Sequence, residues 1–215
     1  MTLLDLGIAL LKALPWTLAL TVASLLVGAL SAIPLCMMSI SKNRVVSHFA
    51  FWVIVFFRSI PPLVWLFFIF FAVSQNIVQL SPFSSAVIGL GLITAANMAE
   101  IYRGALQAIP AGQREASTVL GLSQLQRARD IIGPQVFRYS LPATSTYAIG
   151  LLKDTAIAST IGVPEIAQTA YQLSQQTFQG LTIFAIAGGY YLLVSILMAW
   201  VSRAVDSRIR AKVER

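Results

Sequence analysis

Three charged side chains lie deep inside long apolar stretches of this sequence and are its first candidates for chemistry. Arg58 lies ten residues after His48 in one stretch, and Lys153 and Asp154 are adjacent in a later one. Ionisable residues are costly inside a membrane, so they are functional candidates wherever such stretches cross a bilayer. Buried charges are also commonly paired, so Asp154 could instead neutralise Arg58 or Lys153 without contacting a solute.

The spacing of these residues limits how they can act together. Ten residues of helix correspond to about 15 Å, which would place Arg58 well inside a bilayer. Neighbouring helical residues point about 100° apart, so Lys153 and Asp154 cannot both face one narrow pore. Asn97 and Thr155 are further polar candidates within apolar segments, whereas Glu100 is expected to pair with Arg103 at i+3.

The sequence gives little support for an enzyme or for a metal site. The chain has one histidine and one cysteine, and it contains neither an H-E-x-x-H metal motif nor a G-x-x-x-x-G-K-[ST] phosphate loop. A membrane hydrolase would need a catalytic group beside a base, but His48 is far in sequence from any Ser or Asp dyad inside a predicted helix. We therefore expect no catalytic residue, no metal site and no cofactor bound by this chain.

The composition is that of a membrane protein. Of 215 residues, 57% are apolar and 11% are charged, against roughly 25% charged in soluble domains. No Asp, Glu, Lys or Arg occurs between Lys12 and Lys42, between Arg58 and Glu100, or between Glu165 and Arg203. Each gap exceeds the ~20 residues that a spanning helix needs.

Five hydrophobic segments are predicted to cross the membrane in a single domain, residues 1–215. A signal peptide ending near Ala32 is an alternative for the first, but its apolar run continues through Pro34 to Ile40, so we expect a retained helix. The fourth segment is the weakest because Lys153 and Asp154 interrupt it. The segments are Trp16–Ile40, Phe49–Val73, Ser84–Tyr102, Leu141–Val163 and Leu181–Val201.

The basic residues predict the orientation of these segments. Twelve of the fifteen Lys and Arg residues lie in the flanks 41–48, 103–140 and 202–215, whereas the flanks 74–83 and 164–180 hold none. Short flanks rich in Lys and Arg stay in the cytoplasm. The pattern predicts an N-terminus outside and a C-terminus inside, and the net charge of +7 follows from this topology rather than from nucleic-acid binding.

The long polar stretch at about 109–134 is predicted to form two short helices. Pro110 begins the first, whose apolar face is Ala116, Val119 and Leu120, and Gly121 ends it. Ser123 and Gln126 form a capping-box pattern for the second helix, which carries an apolar stripe of Leu125, Ala128 and Ile132. Gly133-Pro134 is expected to end that helix.

Two adjacent prolines predict a break in the second apolar segment. Pro61 and Pro62 cannot donate backbone hydrogen bonds and clash with the preceding turn. The carbonyl groups released there must face protein or water rather than lipid. The break could serve as a gate or could be a packing kink.

The polar stretch resembles the EAA motif of permease subunits of ATP-binding-cassette (ABC) importers. Glu115-Ala116-Ser117 is followed by Gly121, then by Ile131 and Pro134, at the spacing of that motif. Ser117 replaces the usual second alanine, and Gly133 replaces the usual leucine, which would loosen a helix by about 1 kcal/mol relative to alanine.

Four further stretches are similar to permeases of the polar amino acid transporter family, the histidine and glutamine type. With the EAA motif they run from about Arg58 to Gly162, roughly half the chain. The stretches are Phe57-Arg58-Ser59 before Pro61-Pro62-Leu63, Glu100-Ile101-Tyr102-Arg103-Gly104, Ile109-Pro110-Ala111-Gly112-Gln113, and Leu152-Lys153-Asp154-Thr155.

The resemblance implies an all-α type I ABC importer permease (MetI-like) fold in a bacterial cytoplasmic (inner) membrane. It implies three partners: a second, identical or homologous permease subunit, a cytoplasmic ATPase dimer that binds ATP and Mg, and an extracytoplasmic amino-acid-binding protein. An amino acid needs an acceptor for its ammonium group and a donor for its carboxylate, which Arg58, Lys153 and Asp154 supply. The residues implied to couple the chain to the ATPase are Glu115, Ala116, Ser117, Leu120 and Gly121.

Other interpretations remain open. The two short helices could lie on lipid headgroups, attracted there by their arginines. The importer could carry another small polar solute, since these residues do not identify the substrate. An ATP-independent secondary transporter would usually need more crossings or an internal repeat, and it would leave the two amphipathic helices without a role.

Overall fold

The computed structural model describes residues 2–211, without the side chains of residues 75, 114 and 209–211. Every regular element in that range is helical. The elements are α1 (Leu3–Ser39), α2 (Arg44–Ser59), α3 (Pro62–Phe67, extended by a π-helical turn Phe68–Val73 and by Ser74–Asn76), α4 (Pro82–Ala108), α5 (Ala111–Val119), α6 (Gln124–Gln126, extended by a π-helical turn Arg127–Ile132), α7 (Gly133–Asp154, extended by a 3-10 turn Thr155–Ile161), α8 (Ile166–Thr177) and α9 (Gly180–Ala211).

Helix α1 begins thirteen residues earlier than the apolar run predicts, at Leu3 instead of Trp16. The cause is a capping box: Thr2 Oγ1 accepts from the Asp5 N–H, and the Asp5 carboxylate accepts from the Thr2 N–H at 2.9 Å. This cap satisfies backbone groups that a helix end otherwise leaves open. The apolar run then continues through Pro15 and Pro34 without ending the helix.

Three helices of the described chain are long and apolar enough to cross a membrane, namely α1, α4 and α9. The pair α2 and α3 makes a fourth span if it is counted as one. The predicted crossing Leu141–Val163 does not meet this criterion, and the charged residues Lys153 and Asp154 lie where α7 changes into its 3-10 turn. Of the basic residues in the flanks, Lys212 and Arg215 lie outside the described residues, as do the side chains of Arg114 and Arg210.

Small residues allow α1 and α4 to pack closely and form the centre of the fold. Ser24, Gly28 and Ala32 are buried on α1, and Gly91 and Thr94 are buried on the facing side of α4. Gly28 lies against the side chain of Thr94 and the carbonyl group of Gly91. Association of helices within a membrane expels no water, so it depends on van der Waals packing, and small residues allow the backbones to approach closely enough for it.

The second apolar segment is broken at the proline pair, as the sequence predicts. Helix α2 ends at Ser59, Ile60 is extended, and α3 begins at Pro62 with a bend of 97°. Aromatic rings fill the bend: Trp65 is buried and packs on Phe56 and Phe57 at centroid distances of 5.3 and 4.8 Å.

The prediction that Gly133-Pro134 ends the second polar helix is wrong. Helix α6 continues directly into α7, because the π-helical turn before Gly133 replaces the regular hydrogen-bond ladder and the Gly133 N–H donates to the Ala128 carbonyl. Pro134 has no N–H to contribute, and the widened turn accommodates it without a break. The short helices are therefore joined rigidly to the long helix that follows.

Candidate functional site

Arg58 lies in the last turn of α2, beside the ion pair of α4. It lines a cavity of about 330 Å³ together with Glu100 and Arg103. Arg103 Nε and Nη2 donate to the two carboxylate oxygens of Glu100 at 3.0 and 2.6 Å, which confirms the predicted i, i+3 pair. Arg58 itself is exposed and belongs to no ion pair within residues 2–211.

Lys153 and Asp154 end α7, and both are exposed in the single chain. Neither forms an ion pair with a described residue, so the interpretation that Asp154 neutralises Arg58 or Lys153 is not seen in this part of the chain. Thr155, the next residue, differs from its prediction. It is 0% exposed and donates to the Leu152 carbonyl at 2.7 Å, so its hydroxyl faces the helix rather than a pathway.

Tyr147 lies on α7, the helix that ends in Lys153 and Asp154, and the sequence motifs do not single it out. Its hydroxyl donates to Thr94 Oγ1 at 3.1 Å, which joins α7 to α4. Asn97 is half-buried on α4, and its side-chain N–H group donates to the Ile93 carbonyl at 2.9 Å. The available signal was spacing: Tyr147 precedes Asp154 by two helical turns, which puts both on one face.

The residues of the EAA motif form the exposed tip of a hairpin made by α5 and α6. Glu115 and Ala116 are exposed, and Gly121 turns the chain with φ +68°, a conformation that favours glycine. Val119 and Leu120 are 88% and 73% exposed. Two large apolar side chains are thus open at the tip.

Ser117 does not share this exposure, which corrects the expectation that it helps to contact a partner. It is 2% exposed and, with Arg127 and Ala128 of α6, lines a cavity between the hairpin and the membrane helices. On a helix, Ser117 points away from the face of Glu115 and Val119 because each lies two residues from it. Its small size serves packing between the two hairpin helices.

Three sets of hydrogen bonds brace the hairpin. Arg127 Nη1 donates to Thr118 Oγ1 at 2.8 Å, which joins α6 to α5. Ser123 and Gln126 form the capping box that the sequence predicts. Gln135 Nε2 of α7 donates to the Ile131 carbonyl at 3.0 Å and to Gln113 Oε1 at 3.4 Å. These hydrogen bonds join the two hairpin helices to each other and to the first turn of α7.

A buried carboxylate lies at the other end of the molecule. Glu165 is 0% exposed and caps α8 by accepting from the Gln168 N–H at 2.7 Å. Its second oxygen accepts from the Tyr191 hydroxyl of α9, and Thr17 of α1 accepts from the adjacent Ile166 N–H at 3.2 Å. Burial raises the pKa of Glu165 above its ordinary value. The cluster ties three helices together.

No group of three His, Cys, Asp or Glu side chains suited to a metal ion occurs among the described residues.

The family match and the similar known proteins agree on one family. The family described as "Binding-protein-dependent transport system inner membrane component" matches residues 24–211. The nopaline transport system permease protein NocM of Agrobacterium fabrum is 35% identical over 200 residues, covering 88% of this chain and 83% of that protein. The arginine ABC transporter permease protein ArtQ of Haemophilus influenzae is 34% identical over 188 residues, covering 84% of each.

Solved structures agree on the fold. An amino acid ABC transporter crystallised with histidines superposes with a TM-score of 0.86 at 26% identity, over 97% of this chain and 100% of that one. The MetNI methionine ABC transporter in an inward-facing conformation has a TM-score of 0.84 at 20% identity, over 94% and 96% of the two chains. The all-helical MetI-like fold implied by the sequence motifs is confirmed.

Proposed function

The chain belongs to the family of binding-protein-dependent transport inner membrane components, as a permease subunit of an ABC importer, and on that premise we propose that it carries amino acids into a bacterial cell. The choice of substrate rests on the pathway residues: side chains of both signs, Arg58, Lys153 and Asp154, are exposed in the single chain and belong to no ion pair among the described residues. A zwitterion needs both signs of charge. Relatives named for arginine and L-cystine transport support the same substrate class.

We propose five crossings of the inner membrane, with the N-terminus outside and the C-terminus inside. The crossings are α1, the bent pair α2 and α3, α4, α7 with its 3-10 turn, and α9. The distribution of Lys and Arg supports this topology, because the flanks assigned to the cytoplasm hold twelve of fifteen such residues. It puts the α5–α6 hairpin in the cytoplasm and α8 on the outer face. The bend at Pro61 and Pro62 supplies a hinge for a gate.

A second permease subunit, identical or homologous, completes the pathway. Arg58, Lys153 and Asp154 are exposed in the single chain, yet charged side chains at membrane depth face a water-filled cavity or a protein partner rather than lipid. The small residues Ala185, Gly188 and Gly189 of α9 also suit a close helix contact. Gly188 is exposed, and a side-chain carbon there would meet no neighbouring group of the described chain within 4 Å.

A cytoplasmic ATPase dimer drives the transport cycle, and the hairpin is its docking element. ATP hydrolysis belongs to that partner, which binds ATP and Mg, and this chain needs no cofactor. Exposed Val119 and Leu120 offer apolar anchors, and Glu115 offers an acceptor for a basic or backbone donor. Ala116 allows close approach. An extracytoplasmic amino-acid-binding protein delivers the substrate to the outer face, where Tyr171 of α8 is exposed.

Affinity purification in mild detergent from the native host, followed by mass spectrometry, tests this assignment. We expect an ATPase and a permease partner to be recovered with the tagged chain. The Leu120→Asp variant should no longer recover the ATPase but should still recover the permease partner, because the Leu120 side chain lies at the hairpin tip and not in the core. Ile77→Asp is the matched control, since Ile77 is equally exposed at the opposite membrane face. Equal recovery of the ATPase with both variants would contradict hairpin docking.

A further inference from the structure

A second cavity, of about 820 Å³, lies where the hairpin meets the membrane helices. Its walls come from the C-terminal ends of α1 and α4, from α5 and α6, and from the first turns of α7. Neither Arg58 nor Asp154 lines it, so it is separate from the pathway. The volume falls within the ~300–1,000 Å³ range of sites that bind small molecules.

Most of this cavity's lining is apolar. Its α1 and α4 walls belong to helices that can span a membrane, and Ile33, Met37 and Phe137 of the lining are exposed in the single chain. An acyl chain can enter such a groove from the bilayer without crossing water. The apolar wall consists of Ile33, Met37, Ile40, Leu106, Val136 and Phe137.

The end nearest the hairpin is cationic. Lys42 follows α1 and is exposed, and Arg127 of α6 is half-buried. Both line the cavity, and its lining includes no Asp or Glu from the described chain. Neither cation belongs to an ion pair within residues 2–211, although Arg127 donates to Thr118 Oγ1. Two positive charges thus lie beside an apolar groove with no acidic neighbour in its wall.

We infer that this cavity binds one anionic phospholipid, with an acyl chain along the apolar wall and the phosphate between Lys42 and Arg127. The inference rests on the proposed topology, which puts this end at the cytoplasmic leaflet, where anionic lipids attract basic side chains. Free phosphate carries the same anionic group as the lipid headgroup, but it has no acyl chain to fill the apolar wall. Because Arg127 also binds Thr118, the lipid would hold the coupling hairpin against α1.

Lipid retention by the complete importer complex tests this inference without requiring transport. The complex is reconstituted in nanodiscs of phosphatidylcholine and phosphatidylglycerol, extracted in mild detergent, and its retained lipids are quantified by mass spectrometry. We expect phosphatidylglycerol to be enriched, and Lys42→Gln with Arg127→Gln to lower its retention on the order of tenfold or more. The double variant Arg44→Gln with Arg129→Gln removes the same charge outside the cavity and should retain the lipid. Equal retention by both double variants would overturn the inference.

Two further variants separate the possible reasons for a loss. Thr118→Val removes the bond to Arg127 but keeps the charge, so it should retain phosphatidylglycerol. Val136→Trp fills the space along the apolar wall, so this variant should release phosphatidylglycerol although both cations are present. If Val136→Trp does not assemble, the comparison of the two double variants still decides. Displacement of the lipid by inorganic phosphate alone would instead identify a simple anion site and contradict the proposed lipid.

Discussion

Gly28 of α1 lies directly against Thr94 of α4, with no room for a side chain between them. A carbon atom on Gly28 would overlap the Cβ and Cγ2 atoms of Thr94 and would lie 2.9 Å from the Gly91 carbonyl oxygen. Thr94 in turn accepts a hydrogen bond from Tyr147 of α7. Thr94 therefore takes part both in the close contact of α1 with α4 and in the hydrogen bond that joins α4 to α7.

Gly28→Ala should destabilise the protein by about 1–3 kcal/mol, the usual cost of overpacking. The added carbon forces α1 and α4 apart, because its neighbours include a backbone carbonyl. Thermal unfolding of the detergent-solubilised protein measures the effect. Gly188→Ala is the control, since its added carbon meets nothing within 4 Å, and equal melting temperatures for the two variants would refute the close contact.

Gly133→Ala should also destabilise the protein, although alanine is ordinarily the better helix former. A Cβ on Gly133 would lie 2.7 Å from the carbonyl oxygen of Ala128 in the π-helical turn. This reverses the sequence-based estimate that glycine loosens the helix here by about 1 kcal/mol. Gly150→Ala in the same helix has open space and should be neutral or stabilising. Melting curves that rank Gly133→Ala above wild type would show that the turn relaxes to an ordinary helix.

Glu115→Lys should leave the chain inserted but uncouple it from the ATPase. Placing a like charge against a basic surface costs several kcal/mol, and Glu115 is exposed, so folding does not depend on it. The readout is ATP hydrolysis stimulated by substrate-loaded binding protein, which should fall to the basal rate. Asp130→Lys makes the same charge reversal on the next helix of the hairpin and should keep stimulation. Normal stimulation in Glu115→Lys would remove Glu115 from the coupling surface.

Asp154→Asn should reduce uptake without loss of assembly. The substitution keeps the shape but removes the acceptor charge for an ammonium group, and a hydrogen bond to a charged group contributes about 1.5–3 kcal/mol, or about tenfold to a hundredfold in affinity. Labelled amino acid uptake measures the loss, with Asp130→Asn, exposed on the hairpin, as the control. If Asp154→Asn showed wild-type uptake kinetics, Asp154 would have only a structural role.

Glu165→Gln should change the pH dependence of stability. The folded protein raises the pKa of Glu165 above its ordinary value of 4.5, so it holds the proton more tightly than the unfolded chain does. The corresponding stabilisation is present below that ordinary pKa and is lost as the pH rises through the raised pKa.

Melting temperatures measured across this pH range test the role of Glu165. Wild type should lose stability as the pH rises from the ordinary pKa, whereas Glu165→Gln should show a flatter profile because it keeps the oxygen acceptor without a titrating proton. Glu115→Gln, which changes an exposed carboxyl group, should follow wild type. Parallel profiles for wild type and Glu165→Gln would show that burial does not control this carboxyl group.

Local sequence signals predicted the hairpin and the broken helix well. The capping box at Ser123 and Gln126, the turn at Gly121 and the proline pair at Pro61 each act within a few residues, so their geometry follows from those residues alone. The Glu100–Arg103 pair was predictable for the same reason, because an i, i+3 spacing on a helix determines proximity.

Features that depend on tertiary contacts escaped prediction. Gly133-Pro134 reads locally as a helix stop, but the π-helical turn carries the chain through it. Ser117 and Thr155 are small polar residues whose burial depends on neighbouring helices. Tyr147 carries no charge, so it does not stand out in an apolar segment, although its hydroxyl joins α7 to Thr94 of α4.

ATP-dependent uptake in proteoliposomes tests the importer assignment most directly. The proteoliposomes contain this chain, its co-purified permease and ATPase, and the binding protein. Labelled amino acids are offered on the outside, with ATP or a non-hydrolysable analogue trapped inside. We predict accumulation only with hydrolysable ATP and binding protein together. Accumulation by the purified chain alone, without ATP, would contradict the importer assignment and identify a secondary transporter.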